Sequence, residues 1–180
     1  MIGVVAVDCT GGIGKNGNLP WKFEEDMLRF KALTTSCDIK GTQNCIIMGR
    51  KTWDNIKYTL PNRFNIVVSK SLSDLSFKSG DENNSFVYKD KPHFIAKSKE
   101  DVLEWITKNK DKIDKTFVIG GKEIYNLFFD KIERFELTIL KDDYNCDTKL
   151  DLSKIYNKFK IKSVFPENNH TNLSLILITD

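Results

Sequence analysis

Three sets of residues have the types and spacing to do chemistry. Asp26 stands four residues before Phe30, so on a helix its carboxylate and the ring share a face one turn apart. It can sit at the helix edge and face water beside Glu24 and Glu25, as most helical aspartates do. It can equally lie at the bottom of an apolar pocket, where it would hold a proton or bind a cationic, amidine-like group. The second set is two glycine turns, Gly49-Arg50-Lys51-Thr52 and Gly120-Gly121-Lys122, each following an apolar run. A strand that ends in glycine and opens a helix leaves backbone N–H groups free for a phosphate. The first turn is not a Walker A loop, because Gly49 is one residue too early and Arg50 stands where that motif needs glycine. The third is Gly12-Ile13-Gly14-Lys15-Asn16-Gly17, formally G-x-G-x-x-G. A dinucleotide fingerprint needs its last glycine at a helix start, whereas here Asn18-Leu19-Pro20-Trp21 intervenes and Pro20 disfavours helix before it. The segment reads as a mobile loop whose glycines let backbone approach a ligand.

The elements that must position these groups follow from hydrophobic patterning. Apolar, β-branched runs at 2–7, 45–48, 64–69 and 116–119 read as strands buried on both faces. Ser69 and Lys70 then fall at a strand's carboxyl end, where open α/β sheets bind ligands. Helices are expected from Phe23 to about Leu33, from the Gly49 turn onward, over 99–108 and over 122–129, with a short strand at 93–96. An alternating strand is expected at 135–141, a loop at 146–148, and a closing antiparallel hairpin from 159–165 and 172–179. Residues 71–91, rich in Ser, Asp, Asn and Lys, read as a surface insertion with a short strand at 86–88. The fold class is therefore α/β. One domain over 1–180 is expected, with a mainly parallel twisted sheet, helices on both faces and an antiparallel C-terminal hairpin at the edge.

Composition bounds the function. A chain of 180 residues, 40% hydrophobic and 29% charged, suits one soluble domain with a sizeable core. Its net charge of +3, with dispersed lysines, gives no nucleic-acid-binding surface. Cys9, Cys37, Cys45 and Cys146 form no C-x-x-C pair, and His93 and His170 are remote from them. No metal site is expected, and single buried thiols in a reducing cytosol are. The N-terminal run lacks a basic flank and reads as a strand rather than a signal peptide, and no stretch approaches membrane-spanning length. A cytoplasmic protein is expected.

The ordered motifs V-V-A-V at 4–7, G-I-G-K-N-G-N-L-P-W at 12–21, Asp26 with Phe30, I-M-G-R-K-T-W at 47–53, L-P-N-R at 60–63, I-G-G-x-x-x-Y at 119–125 and C-D-T at 146–148 resemble the dihydrofolate reductase family over nearly the whole chain. The resemblance implies NADPH-dependent hydride transfer to C6 of 7,8-dihydrofolate with protonation at N5. It makes Asp26 the carboxylate that grips the pterin's amino-pyrimidine edge, with Thr138 positioning it and Trp21 beside it. Val4, Val5, Leu19, Met27, Phe30, Ile56, Leu60, Ile119 and Tyr125 become walls of the substrate pocket. Arg63 becomes the partner of folate's glutamate α-carboxylate. On the NADPH side, Ala6, Ile13 and Asn18 match contacts to the nicotinamide end. Gly49, Arg50, Lys51 and Thr52 match the first phosphate cradle, and Gly120 with Gly121, joined by a cis peptide, matches the second, followed by Lys122, Glu123 and Ile124. Ser69 and Lys70 match a site for the adenosine 2'-phosphate, and Val68 and Thr148 complete the cofactor-binding set. After Thr148, Lys149-Leu150-Asp151-Leu152 replaces the family's aromatic-proline pair. The resemblance also implies antifolate binding and a monomer. Two rivals stand beside it. A riboflavin-pathway pyrimidine reductase shares the architecture but not Leu19-Pro20-Trp21 with Asp26 and Phe30. A non-catalytic folate- or nucleotide-binding module would keep the pocket without turnover.

Overall fold

The computed structural model describes residues 1–72, 90–167 and 169–178. In chain order the elements are β1 (Ile2–Val7), β2 (Gly12–Gly14), α1 (Glu24–Thr35), β3 (Gln43–Gly49), α2 (Arg50–Ile56), β4 (Arg63–Val68), β5 (Phe94–Ala96), α3 (Lys99–Lys108), β6 (Ile113–Gly120), α4 (Lys122–Phe128), β7 (Arg134–Leu140), β8 (Thr148–Lys149), α5 (Leu152–Lys158), β9 (Phe159–Pro166) and β10 (His170–Leu177). Eight strands make one sheet in the order β5-β4-β3-β6-β1-β7-β10-β9, parallel up to β7 and closed by the antiparallel β10 and β9. The expected hairpin is thus present. The insertion expected over 71–91 falls almost wholly outside the described residues, as does the strand expected at 86–88.

The central strands are apolar without alternation because both faces are covered. Val4, Ile46, Met48, Val67 and Phe117 face one layer, where Trp53 and Ile56 of α2 and Phe30 and Leu33 of α1 pack. Val5, Val7, Cys45, Ile47, Ile66 and Val118 face the other, against Val102 of α3, Ile124 and Phe128 of α4 and Ile155 of α5. Each fully buried large side chain in these layers contributes about 1.5–3 kcal/mol. Local chemistry fixes the helix ends. Ser98 and Asp101 form a reciprocal capping box at the start of α3. Lys57, at φ 65°, ends α2 in the left-handed region and donates its N–H to Trp53 O at 2.8 Å.

Helix α1 is held to the sheet by polar contacts as well as by packing. Arg29 Nη2 donates to Glu136 Oε2 at 2.7 Å, and the same buried carboxylate forms an ion pair with Arg134, its Nε 3.1 Å away, and receives the Ser174 hydroxyl at 3.0 Å. Cys45 and Cys146 are buried as expected, whereas Cys9, in a turn, is exposed and Cys37, just past the end of α1, is half-buried. No helix of the described residues is long and apolar enough to cross a membrane.

Candidate active site

Asp26 is the third residue of α1, in a first turn that also carries Glu24 and Glu25. Negative charge is favoured there by the free N–H groups of the helix start. It is half-buried rather than water-facing, and Thr138 Oγ1, from the middle of β7, lies 2.8 Å from its Oδ1. On the sheet face that α1 and α2 cover, an apolar cluster lies alongside the polar group of Glu136, Arg29 and Arg134. Val4, Phe30, Ile56, Leu60 and Ile119 pack on one cluster, and Leu19 and Met27 stand exposed at the rim. Val5 departs from the expected wall: its side chain points into the opposite layer, because neighbours on a strand alternate faces. Only its backbone is available to the pocket.

Trp21 is buried against Tyr144, its ring centroid 5.2 Å away edge-on, and its Nε1 has no hydrogen-bond partner among the described residues. The indole is thus a free donor inside the site. Tyr125 donates its hydroxyl to Val4 O at 2.6 Å. Burial, with the nearby Asp26 charge adding to it, pushes the phenol's pKa up, so it remains a donor.

At the far end of α1, Arg63 is 4% exposed. Its Nη1 donates to Thr34 Oγ1 at 2.7 Å, its Nε to Pro61 O at 3.0 Å, and its guanidinium lies 6.0 Å from the centre of the Phe30 ring. Burial lowers its pKa, and no carboxylate ion pair to it occurs among the described residues. A buried guanidinium with donors to spare can receive an anion.

The two glycine turns are neighbours, because β3 and β6 pair with Met48 opposite Gly120. A Cβ on Gly49 would lie 2.9 Å from Ile124, and one on Gly121 would lie 3.9 Å from Thr52 Oγ1. The starts of α2 and α4 are therefore adjacent. The Gly120-Gly121 peptide is cis, as the family pattern implied, and Gly120, at φ 106°, leaves no room for a Cβ against Tyr125. Lys51, Lys122 and Glu123 are exposed at these helix starts, whereas Ile124 is buried beneath Gly49.

Basic groups gather beyond the end of β4. Arg50 Nη1 donates to Ser71 Oγ at 2.7 Å, and Lys70 is exposed next to it. Ser69 Oγ accepts from Leu72 N at 3.0 Å, which leaves its hydroxyl proton free to donate, and Val68 is half-buried behind it. Lys97 joins this group: its Nζ donates to the Leu72 carbonyl and, at 3.5 Å, to that of Lys70. Lys97 was not among the expected site residues. Its only sequence signal is its place just past a short strand, and that strand's position beside β4 is a long-range fact.

The segment expected to be a mobile glycine loop is instead a small hairpin. Asn16 and Gly17 both have positive φ, and Lys15 and Asn18 exchange backbone hydrogen bonds of 2.8 and 3.0 Å across them. Asn-Gly is the dipeptide such turns prefer, so the signal was present. β2 pairs antiparallel with β8, which places Ile13 and Thr148 in this small sheet; Thr148 donates its hydroxyl to Asp147. Asp147 accepts from Asn16 N at 2.6 Å, and Asn55 Nδ2 donates to Gly17 O at 2.5 Å. Ala6 packs with Trp21, Leu140 and Cys146 at the base of the hairpin. Asn18 is exposed at its tip.

A family model described as dihydrofolate reductase matches residues 1–176. The chain is 36% identical to a dihydrofolate reductase of Sus scrofa, over 84% of this chain and 80% of that one. It is 32% identical to a viral dihydrofolate reductase of Saimiriine herpesvirus 2 (strain 488), over 97% and 72%. It is 30% identical to a dihydrofolate reductase of Saccharomyces cerevisiae (strain ATCC 204508 / S288c), over 98% and 82%. With the sheet order, the paired glycine turns and the carboxylate set beside an apolar cluster, these matches show that the chain belongs to the dihydrofolate reductase family.

Proposed function

We propose that Asp26 is the pterin anchor of an NADPH-dependent dihydrofolate reductase, held in place by Thr138. The activity is the family's: reduction of dihydrofolate to tetrahydrofolate. Bound NADPH supplies the hydride. The observation that carries the residue roles is the Thr138–Asp26 hydrogen bond beside an apolar cluster, which fixes one carboxylate oxygen and leaves the other for substrate. An ionised Asp26 accepts from the N3 and 2-amino side of the pterin and favours protonation at the distant N5. Trp21, with its free indole N–H, orients a water that delivers that proton.

Arg63 takes the glutamate α-carboxylate of the substrate through the N–H donors on the guanidinium edge not used by Thr34 and Pro61. Phe30, Ile56 and Leu60 line the path between Asp26 and Arg63, and Leu19 and Met27 cover the ligand from the rim.

The glycine turns fit the cofactor at Gly121, whose Cβ position meets only Thr52 Oγ1 at 3.9 Å and leaves room for a pyrophosphate to approach backbone, whereas the Gly49 and Gly120 positions are taken by Ile124 and Tyr125. Arg50, Lys70 and Lys97, with the Ser69 hydroxyl, hold the 2'-phosphate and select NADPH over NADH. The reading includes a monomer, as the family resemblance implies. The direct test follows NADPH absorbance after dihydrofolate is added. Steady oxidation with tetrahydrofolate as product is expected. Tight folate-analogue binding without oxidation would support the non-catalytic module instead.

A further inference from the structure

Asn172 is a buried polar side chain, 6% exposed, to which the roles above assign nothing. It lies in β10 directly opposite Thr138 of β7, and its Oδ1 is 2.9 Å from Thr138 Oγ1. The same hydroxyl oxygen is 2.8 Å from Asp26 Oδ1. A hydroxyl has one proton and two lone pairs, and an ionised carboxylate only accepts. Thr138 therefore cannot donate to both neighbours. A half-turn of the Asn172 amide exchanges Oδ1 and Nδ2 within the same shape and satisfies all three groups. Nδ2 then donates to Thr138, and Thr138 donates to Asp26.

We propose that Asn172 is a positioning residue for the reaction: by donating to Thr138 it commits the single hydroxyl proton to Asp26 and fixes the orientation of the carboxylate. A neighbouring relay has the same layout. Two residues along the same ladder Ser174 stands opposite Glu136, donates to it at 3.0 Å, and Glu136 receives Arg29 of α1. Spacing of two on each strand matches spacing of three on the helix, so β10, β7 and α1 are joined by two parallel polar chains. One ends on Arg29 and is structural. The other ends on Asp26, which faces substrate. The other titratable groups around Asp26 are Glu24 and Glu25 of its own turn, Tyr125 from α4, and the Glu136, Arg29 and Arg134 cluster.

This inference rests on Asp26 as the pterin anchor, and the experiment separates the two. Steady-state kinetics and the pH dependence of 2,4-diaminopyrimidine binding are compared in the parent, Asn172→Leu, Asn172→Asp and Asp26→Asn proteins, each also with Thr138→Val. Asn172→Leu is expected to lower kcat/KM for dihydrofolate about 5- to 10-fold, one hydrogen bond to a charged pair, with NADPH KM unchanged. Asn172→Asp places a second carboxylate within about 6 Å of Asp26, competing for one proton, and is expected to move the pH midpoint of inhibitor binding upward by about one pH unit. Asn172→Leu is expected to have no further effect once Thr138 is valine, whereas the through-space effect of Asn172→Asp persists there. Should Asn172→Asp fail to fold, Asn172→Leu and Asn172→Ser carry the comparison. Parent-like kinetics and pH profiles in the Asn172 variants, or an equal effect of Asn172→Leu with and without the Thr138 hydroxyl, overturn the proposal. An unaffected Asp26→Asn enzyme would instead overturn the anchor assignment beneath it.

Discussion

Thr138 Oγ1 and Asp26 Oδ1 lie 2.8 Å apart, although 112 residues of chain separate them. The contact joins a central strand to the first turn of a helix and gives the carboxylate one fixed oxygen. Thr138→Val keeps the shape and removes the donor. It is expected to lower kcat/KM for dihydrofolate about 10- to 100-fold, the equivalent of about 1.5–3 kcal/mol for a hydrogen bond to a charged group. Steady-state kinetics at neutral pH check this, with unchanged NADPH affinity as the control.

Arg63→Lys keeps the charge but loses the planar fork. Dihydrofolate KM is expected to rise about 10-fold with kcat little changed, because the glutamate tail is remote from the reacting atoms. Affinity for a diaminopyrimidine without a glutamate should stay at the parent value. Equal losses for both ligands would mean that Arg63 supports the fold rather than the tail.

Lys97→Ala removes one cation from the group around Ser69 and Leu72. The KM for NADPH should rise about 10-fold while that for NADH, which has no 2'-phosphate, should stay constant, the size expected of one charge-assisted contact. Parallel changes in both cofactors would place Lys97 outside the phosphate site.

Asp8 ties the end of β1 to the turn that follows. Burial works against its charge, but hydrogen bonds from Gly12 N, from the Thr10 hydroxyl and N–H, and from the Cys146 thiol outweigh it and hold its pKa at about 2, below the usual 3.8. A carboxylate depressed on folding adds stability above its unfolded pKa, and that stability is lost as pH falls from about 4 through about 2. Asp8→Asn should lower stability at neutral pH by about 1–2 kcal/mol and flatten this part of the acid limb. Urea unfolding at pH 7 and pH 3 measures both. A parent-like difference between the two pH values would assign the acid sensitivity elsewhere.

Much of the fold was legible because burial on both faces writes itself as uninterrupted apolar sequence, as in Ile46, Ile47 and Met48. Helix α3 matched its expected bounds because Ser98 caps it and Val102 lies on its buried side. Strands β2 and β8 were missed because two or three residues carry no periodicity, and their pairing joins segments more than 130 residues apart. Helix α5 was passed over although Asp151 caps it, with its side chain accepting from Lys154 N, and Ile155 anchors it.

The site was legible in part. Asp26, Phe30 and Arg63 stood out by type and context, but local pattern left Asp26 between water and pocket, and only the family resemblance paired it with Thr138. Lys97 and Asn172 escaped because each acquires its role from a neighbouring strand. The opposite facing of Val4 and Val5 follows from strand alternation and was available from the sequence.

The proposed pterin anchor is the ionisable group at position 26, and Asp26→Asn probes it alone, because the shape is kept and the charge removed. With folding and NADPH binding confirmed, kcat/KM for dihydrofolate at neutral pH should fall about 100-fold or more, as loss of a charged contact that aids proton transfer requires. Activity within about twofold of the parent under the same conditions would contradict the account.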